Sequence, residues 1–183
     1  YVFDGTNYKP YVETDSPNPQ SVYGQTKLDG ELAIKTINPL NSVILRTSWV
    51  YSKFGDNFVK TMLRLAETRD KLNVVADQIG TPTNAADLAK TILIILPKIK
   101  NDSVELYHYS NEGECSWHDF AIEIFEIKNI KINVIPISTN DYKFKANRPL
   151  FSLLDKKKLK TKFNIEIPSW KESLFSSILK FKF

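Results

Sequence analysis

Apolar side chains recur along this chain at two spacings, and the alternation between them predicts an α/β protein. Over residues 21–37, Val22, Leu28, Leu32, Ala33 and Ile37 form a stripe at helical spacing that Asn38-Pro39 ends. Helices are also predicted at 58–67 and at about 85–96, the latter with Thr83 or Asn84 as cap. Another runs from Ser116 to about Ile127, opened by a capping box of Ser116 and Asp119, with Asp in place of Glu. Runs rich in β-branched and aromatic residues predict strands at 42–50, 72–76, 105–109 and 132–135. Tyr1 to Phe3 reads as the end of a buried strand, cut by the Asp4-Gly5 turn signal. A polar loop from Pro136 to about Phe151 and short helices at 155–160 and 170–179 complete the pattern. The segment after Pro136 is less regular and more basic, which predicts a separate small lobe.

Composition narrows the function classes. With 42% hydrophobic and 25% charged residues, the chain reads as a globular protein of one domain, or one domain with a small lobe. Its longest aliphatic run, Ile92 to Leu96, is five residues long, against roughly 20 for a membrane-spanning helix. A cytoplasmic location is the simplest reading, and the single Cys115 agrees with it. One cysteine and two histidines, His108 and His118, leave no multi-cysteine zinc cage and no zincin helix, so no metal ligands are assigned. The six glycines are scattered, and no G-x-G-x-x-G or Walker A loop can be written. The formal charge is +4, but residues 140–183 hold eleven Lys or Arg against four Asp or Glu, so the basic excess is C-terminal. Only Arg46, Arg64, Arg69 and Arg148 are arginines, whereas nucleic-acid readers lean on the planar guanidinium fork. The run Lys156-Lys157-Lys158, with Lys160 and Lys162, is expected as a solvated helix face, and no nucleic-acid partner is assigned.

The chemically informative stretch is Val22-Tyr23-Gly24-Gln25-Thr26-Lys27-Leu28-Asp29-Gly30-Glu31. Tyr23 and Lys27 stand four apart at the start of a predicted helix, which puts both on one face. A phenol is a poor proton donor near neutral pH, and a nearby ammonium favours its phenolate. Most Tyr-x-x-x-Lys pairs are ordinary exposed helix faces, so the pentapeptide alone leaves both readings open. Gly24 and Gly30 cost the helix roughly 1 kcal/mol each relative to Ala, which predicts a close approach to the backbone at both.

Context extends the match. Tyr1-Val-Phe-Asp-Gly5 precedes this stretch, and Arg46-Thr47-Ser48-Trp49-Val50-Tyr51, Gly55-Asp56-Asn57-Phe58 and Asp77-Gln78-Ile79-Gly80-Thr81-Pro82-Thr83 follow it. Leu106-Tyr107-His108, Trp117-His118-Asp119 and Arg148-Pro149 come after, in that order. These blocks closely resemble the extended short-chain dehydrogenase/reductase superfamily, and within it the dTDP-4-dehydrorhamnose reductases. The resemblance implies a Rossmann-type doubly wound parallel sheet with a small α/β substrate-binding lobe. Residues 1–136 would form the C-terminal part of the Rossmann-type domain with interleaved lobe segments, and 137–183 mainly the lobe. It also implies reduction of the C4 ketone of dTDP-4-dehydro-L-rhamnose by NADPH or NADH, giving dTDP-L-rhamnose for polysaccharide biosynthesis. The implied partner is a dTDP-sugar; no membrane partner is assigned, and a homodimer is left open.

Roles follow from that resemblance. Tyr23 is the general acid for the C4 oxygen, and Lys27 stabilises its phenolate and binds the nicotinamide ribose. Thr47 and Ser48 face the nicotinamide, and Trp49 packs on the deoxysugar or serves as a core aromatic. Asn57 binds the sugar nucleotide or caps the following helix, and Gln78 and Thr83 contact substrate or shape their loop. Arg148 clamps the diphosphate or forms a surface ion pair. His108 and His118 read as packing or capping residues, and Cys115 as an inert thiol. The family's Gly-rich half, on the order of a hundred residues if the halves are comparable, and its catalytic Ser or Thr are expected upstream of Tyr1, so these 183 residues alone are expected to be inactive. An alternative is a non-catalytic homologue like the regulatory subunit of methionine adenosyltransferase, which shares the Tyr-Val-Phe-Asp-Gly and Tyr-Gly-x-Thr-Lys blocks. The Thr-Ser-Trp-Val-Tyr block resembles the reductase form.

Overall fold

In the computed structural model, which describes residues 1–142 and 148–179, helices and strands alternate. The order is α1 (Val22–Ile37), β1 (Val43–Thr47), β2 (Val50–Tyr51), α2 (Phe58–Ala66), β3 (Lys71–Val75), β4 (Ile79–Gly80), β5 (Thr83–Asn84) and α3 (Ala85–Ile95). Then come β6 (Glu105–Tyr109), β7 (Cys115–Ser116), α4 (Trp117–Ile127), β8 (Asn133–Ile137), α5 (Lys157–Phe163) and α6 (Trp170–Ile178). Part of the expected 136–151 loop falls at 143–147, outside the described residues. The remainder holds the end of β8 and a 3-10 turn at Thr139–Asp141.

Three ladders are parallel. β1 pairs with β6 from Val43 opposite Glu105 to Thr47 opposite Tyr109, β2 pairs with β5, and β3 pairs with β8. β4 and β7 form a short antiparallel pair. Strand alternation sends β1 and β6 side chains to two different faces. Val43, Leu45, Tyr107 and Tyr109 join Ile95, Leu159 and Phe163 in one apolar cluster, so α5 covers that face. Arg46 and His108 point the other way, onto the ring of Phe3 and toward α1. A larger core joins α2, α4 and α6 through Val59, Leu63, Phe120, Ile124, Trp170 and Leu174 against Leu72 and Val74 of β3. Parallel strands with helices over opposite faces make this part of a doubly wound α/β sheet, as expected.

Local chemistry explains the element ends. Ser21 caps α1 by accepting from the Gly24 N–H, and Asn38 ends it in the left-handed conformation. Asn84 caps α3, and both halves of the Ser116–Asp119 capping box form at the start of α4. The expected strand over 42–50 is split, because Trp49 adopts φ of 49° and interrupts the ladder between β1 and β2. Val2 and Phe3 are buried as anticipated, but they lie outside every ladder of the described residues.

The face that α1 buries differs from the sequence reading. Its buried residues are Gly24 and Glu31, while Val22, Leu32 and Ile37 of the apolar stripe are exposed at 82%, 51% and 76%. A methyl on Gly24 would stand 2.3 Å from the Tyr1 carbonyl oxygen, so only glycine lets the helix sit this close. Glu31, one turn beyond Lys27, pairs with buried Arg46. These two contacts, rather than aliphatic packing, set the rotation of α1. Gly30 also departs from expectation, since a methyl there meets no atom within 4 Å.

The Lys156 run is likewise not a purely solvated face. The Lys156 and Lys160 ammonium groups lie 3.2 and 2.7 Å from the Glu112 carboxylate, and Lys158 donates to the Leu106 carbonyl at 2.8 Å. A second polar knot ties α6 to α3: Asn111 donates to Asp87 at 3.0 Å and to the Ser173 hydroxyl at 2.9 Å.

Two stability outcomes follow. In thermal or urea denaturation, Gly30→Ala should stabilise the protein by about 0.5–1 kcal/mol, whereas Gly24→Ala should destabilise it by roughly 1–3 kcal/mol through overpacking. Burial alone would raise the Glu112 carboxyl, but the Lys160 and Lys156 ammonium groups prevail and hold it below its ordinary value. Its contribution to stability is thus complete above the unfolded value of 4.5 and fades as pH falls through the lower folded value. Denaturation midpoints for Glu112→Gln should therefore fall less steeply with acid than those of the parent protein.

Candidate active site

Tyr23 and Lys27 emerge on the first two turns of α1, on the side open to solvent. Lys27 Nζ lies 5.3 Å from the Tyr23 ring centroid, and Tyr23 is 56% exposed. The Tyr1 ring meets Tyr23 edge-on at 5.7 Å. Burial raises the Tyr1 phenol above its ordinary value, against a smaller opposing effect of nearby Arg148. Tyr1, Ser21 and Arg148 line a cavity of about 260 Å³ together with Asp4, Gly5 and Gln20. Ser21 is the N-cap of α1, so the cavity is lined by an arginine and a helix N-terminus, two features that suit an anion, as well as by the Asp4 carboxylate.

The second group of candidates sits at the C-terminal end of β1, where open α/β sheets place ligands. Thr47 is exposed, and its hydroxyl donates to Thr83 at 3.4 Å. Ser48 is half-buried and donates to the Thr81 carbonyl at 3.0 Å. Trp49 stacks on Trp117 with centroids 3.6 Å apart and planes 11° apart, and Phe58 leans on Trp117 at 4.7 Å. A left-handed tryptophan costs on the order of 1–3 kcal/mol, and several contacts hold it there. The Thr83 N–H donates to its carbonyl at 3.1 Å, and Gly80 leaves it room, since a methyl there would lie 2.6 Å from the indole. One indole face is thereby covered by Trp117 at this strand end.

Other candidates turn inward. Asn57 accepts from the Lys60 N–H at 3.2 Å and donates to the Ser52 carbonyl at 2.7 Å, so both ends of its amide serve the cap of α2. Gln78 is 1% exposed and donates to Thr139 at 3.1 Å, and Thr83 is fully buried. These side chains shape the loop that carries β4 and β5. His108 is fully buried with Nδ1 3.0 Å from the Tyr11 carbonyl, and His118 Nε2 lies 3.3 Å from the Val134 carbonyl. Desolvation, partly opposed by the charge of Glu13, lowers His108 and favours its neutral form. Burial pushes the Cys115 thiol up, which suppresses its thiolate. Among the described residues, no group of three or more His, Cys, Asp or Glu gathers to hold a metal.

A family model, the RmlD substrate binding domain, matches residues 1–183. The chain belongs to the RmlD substrate-binding domain family. This RmlD domain is 48% identical over 181 residues to the dTDP-4-dehydrorhamnose reductase of Sinorhizobium fredii, covering 94% of the present chain and 61% of that protein. Among solved structures, a dTDP-4-dehydrorhamnose reductase from Clostridium acetobutylicum superposes with a TM-score of 0.92 at 43% identity, over 98% of this chain and 62% of that one. The dTDP-4-dehydrorhamnose reductase of Bacillus anthracis, solved in complex with NADP, superposes with a TM-score of 0.89 at 41% identity, over 100% of this chain and 63% of that one. The RmlD domain thus spans about three-fifths of the length of these relatives.

Tyr23, Lys27 and Thr47 leave a phenol, an ammonium and a hydroxyl exposed, groups of the kind that hydrogen-bond a ribose. A Gly-rich pyrophosphate turn is not among these 183 residues. Sequence reasoning missed Trp117 as the support of Trp49 and Glu31 as the partner of Arg46. A tryptophan at the first position of a capped helix was a legible signal for the former. For the indole pair, Trp117→Ala should cost about 2–4 kcal/mol of stability and abolish the coupled near-ultraviolet dichroism of the stacked rings; retention of that signal would refute the stacking.

Proposed function

We propose that this domain, within its full-length protein, carries the proton-donating and substrate-binding part of a dTDP-4-dehydrorhamnose reductase. The observation that carries this reading is the exposed Tyr23–Lys27 pair, with Lys27 Nζ 5.3 Å from the Tyr23 ring, beside the cavity lined by Arg148. The names of the relatives supply the substrate class: dTDP-4-dehydro-L-rhamnose.

The nicotinamide of NADPH or NADH, when bound, supplies hydride to the C4 carbon of the ketone. Tyr23 donates its phenolic proton to the C4 oxygen as negative charge develops there, which avoids a free alkoxide. Lys27 stabilises the resulting phenolate by its charge and hydrogen-bonds the nicotinamide ribose. Thr47 and Ser48 would face the nicotinamide, and Trp49 would pack its uncovered surface on the deoxysugar. Arg148 and the N-terminus of α1 bind the diphosphate. Residues 1–136 complete the Rossmann-type domain with interleaved lobe segments, and 137–183 form mainly the substrate lobe. The product, dTDP-L-rhamnose, serves polysaccharide biosynthesis in the cytoplasm, where the nucleotide sugar and nicotinamide are available.

NADPH oxidation by the full-length protein with dTDP-4-dehydrorhamnose tests the reading. Tyr23→Phe should lower kcat by about 10²–10⁴-fold while leaving dTDP-sugar binding in place, and undiminished turnover would exclude Tyr23 as the acid. The isolated 183 residues should show no turnover. A full-length protein with no turnover that forms a stable complex with a second enzyme would favour the regulatory-subunit reading instead, and sedimentation of the same sample distinguishes monomer from homodimer.

A further inference from the structure

We infer that the buried Glu31–Arg46 ion pair is the positioning device that holds Tyr23 and Lys27 in register with the end of β1. This rests on the roles proposed above for Tyr23 and Lys27. Arg46 Nε and Nη2 each donate to one Glu31 carboxylate oxygen at 2.7 Å, and both residues are 8% exposed. The two parallel bonds of a guanidinium–carboxylate fork fix direction as well as distance. The Phe3 ring covers the guanidinium from 4.9 Å.

The placement of the pair gives it this role. Tyr23, Lys27 and Glu31 follow one another at four-residue steps, each rotated by about 40° and advanced by about 6 Å along the helix. The stripe therefore begins in solvent at Tyr23 and ends buried at Glu31. Arg46 immediately precedes Thr47, the last residue of β1, and Ser48 follows just beyond the strand. One ion pair thus links the helix of Tyr23 and Lys27 to the strand of Thr47.

The far end of α1 is tied by its cap, Asn38, to the backbone of Val104 and Asp102, and near Tyr23 and Lys27 the helix has few anchors. Of its sixteen residues only Gly24 and Glu31 are buried, with Leu28 partly packed beneath. Gly24 rests closely on the Tyr1 backbone, a contact of shape that carries no directional side-chain bond. The fork adds two directional bonds to that fit, and Tyr23 and Lys27 lie between or beside the two anchors. A buried ion pair is weak as a source of stability, because a well-packed apolar pair of similar volume commonly does as well. The pair's distinctive contribution is geometry, and a displacement of about 1 Å at reacting groups can cost 10²-fold in rate.

The test replaces the pair by an apolar one, Glu31→Leu with Arg46→Met, in the full-length protein. The expected result is a folded protein with a denaturation midpoint near that of the parent, faster hydrogen exchange at the α1 amides, a kcat lower by about 100-fold and a KM for the dTDP-sugar within about threefold of the parent. A kcat within about threefold of the parent in the folded double variant would overturn the proposal. If the double variant does not fold, Arg46→Lys, which keeps the charge but not the fork, takes its place. A fall in kcat at constant KM supports the positioning role, and no fall, or an equal loss through KM, overturns it. If the parent itself shows no turnover, the functional reading fails separately, and α1 exchange still decides the clamp: unchanged protection in the variant refutes it.

Discussion

The parallel pairing of Val43–Thr47 with Glu105–Tyr109 is the constraint from which the rest of this structure is arranged. Once the register sets Arg46 opposite His108, strand alternation sends these two polar residues to one face and Leu45 and Tyr107 to the other. The apolar face takes α5. The polar face must find a carboxylate and an aromatic cover, and it finds Glu31 of α1 and Phe3. A helix with three exposed aliphatic residues in its stripe is thereby held against the sheet by charge and by a glycine contact.

That arrangement explains how an open, solvated pair of residues can still be well placed. The roles proposed for Tyr23 and Lys27 require access for ligands, which burial would deny them. Their positions are inherited from neighbours that are buried: Gly24 next to Tyr23 and Glu31 one turn beyond Lys27. At the other end of the site, Trp49 is fixed by similar means. Its left-handed backbone is held by the Thr83 N–H, by the space over Gly80 and by the Trp117 ring. Both halves of the site place exposed functional groups on supports drawn from distant parts of the chain.

The C-terminal segment is tied in by polar contacts as much as by apolar ones. Glu112 collects Lys156 and Lys160, and Asn111 joins Asp87 to Ser173, while Leu159, Phe163, Trp170 and Leu174 fill two different apolar clusters. The basic excess of this segment is therefore partly neutralised inside the fold. Arg148 has a different setting, lining the cavity beside Tyr1 and Ser21.

Local chemistry made much of this legible in the amino-acid order. The capping box at Ser116, the cap at Thr83 or Asn84, which falls on Asn84, and the strand at Glu105–Tyr109 follow from short-range rules, because capping and alternation involve residues a few positions apart. The Tyr23–Lys27 pair was legible for the same reason: a four-residue step on a helix needs no tertiary information. What the order of residues could not decide was which face α1 would bury, since an aliphatic stripe and the Gly24–Glu31 side competed and the winner depended on Arg46, fifteen residues away. It could not show that Trp49 breaks its strand, because that conformation is held by Trp117 and Gly80. Nor could it distinguish Asn57 and Gln78 as ligand groups from Asn57 and Gln78 as loop supports, since their amides are turned toward Ser52 and Thr139 by the folded chain. The sequence alone determined the helices, the longer strands and the Tyr23–Lys27 spacing, because each is a local pattern. Only the tertiary structure decided the orientation of α1 and the supports of the site, because those rest on contacts between residues far apart in the chain.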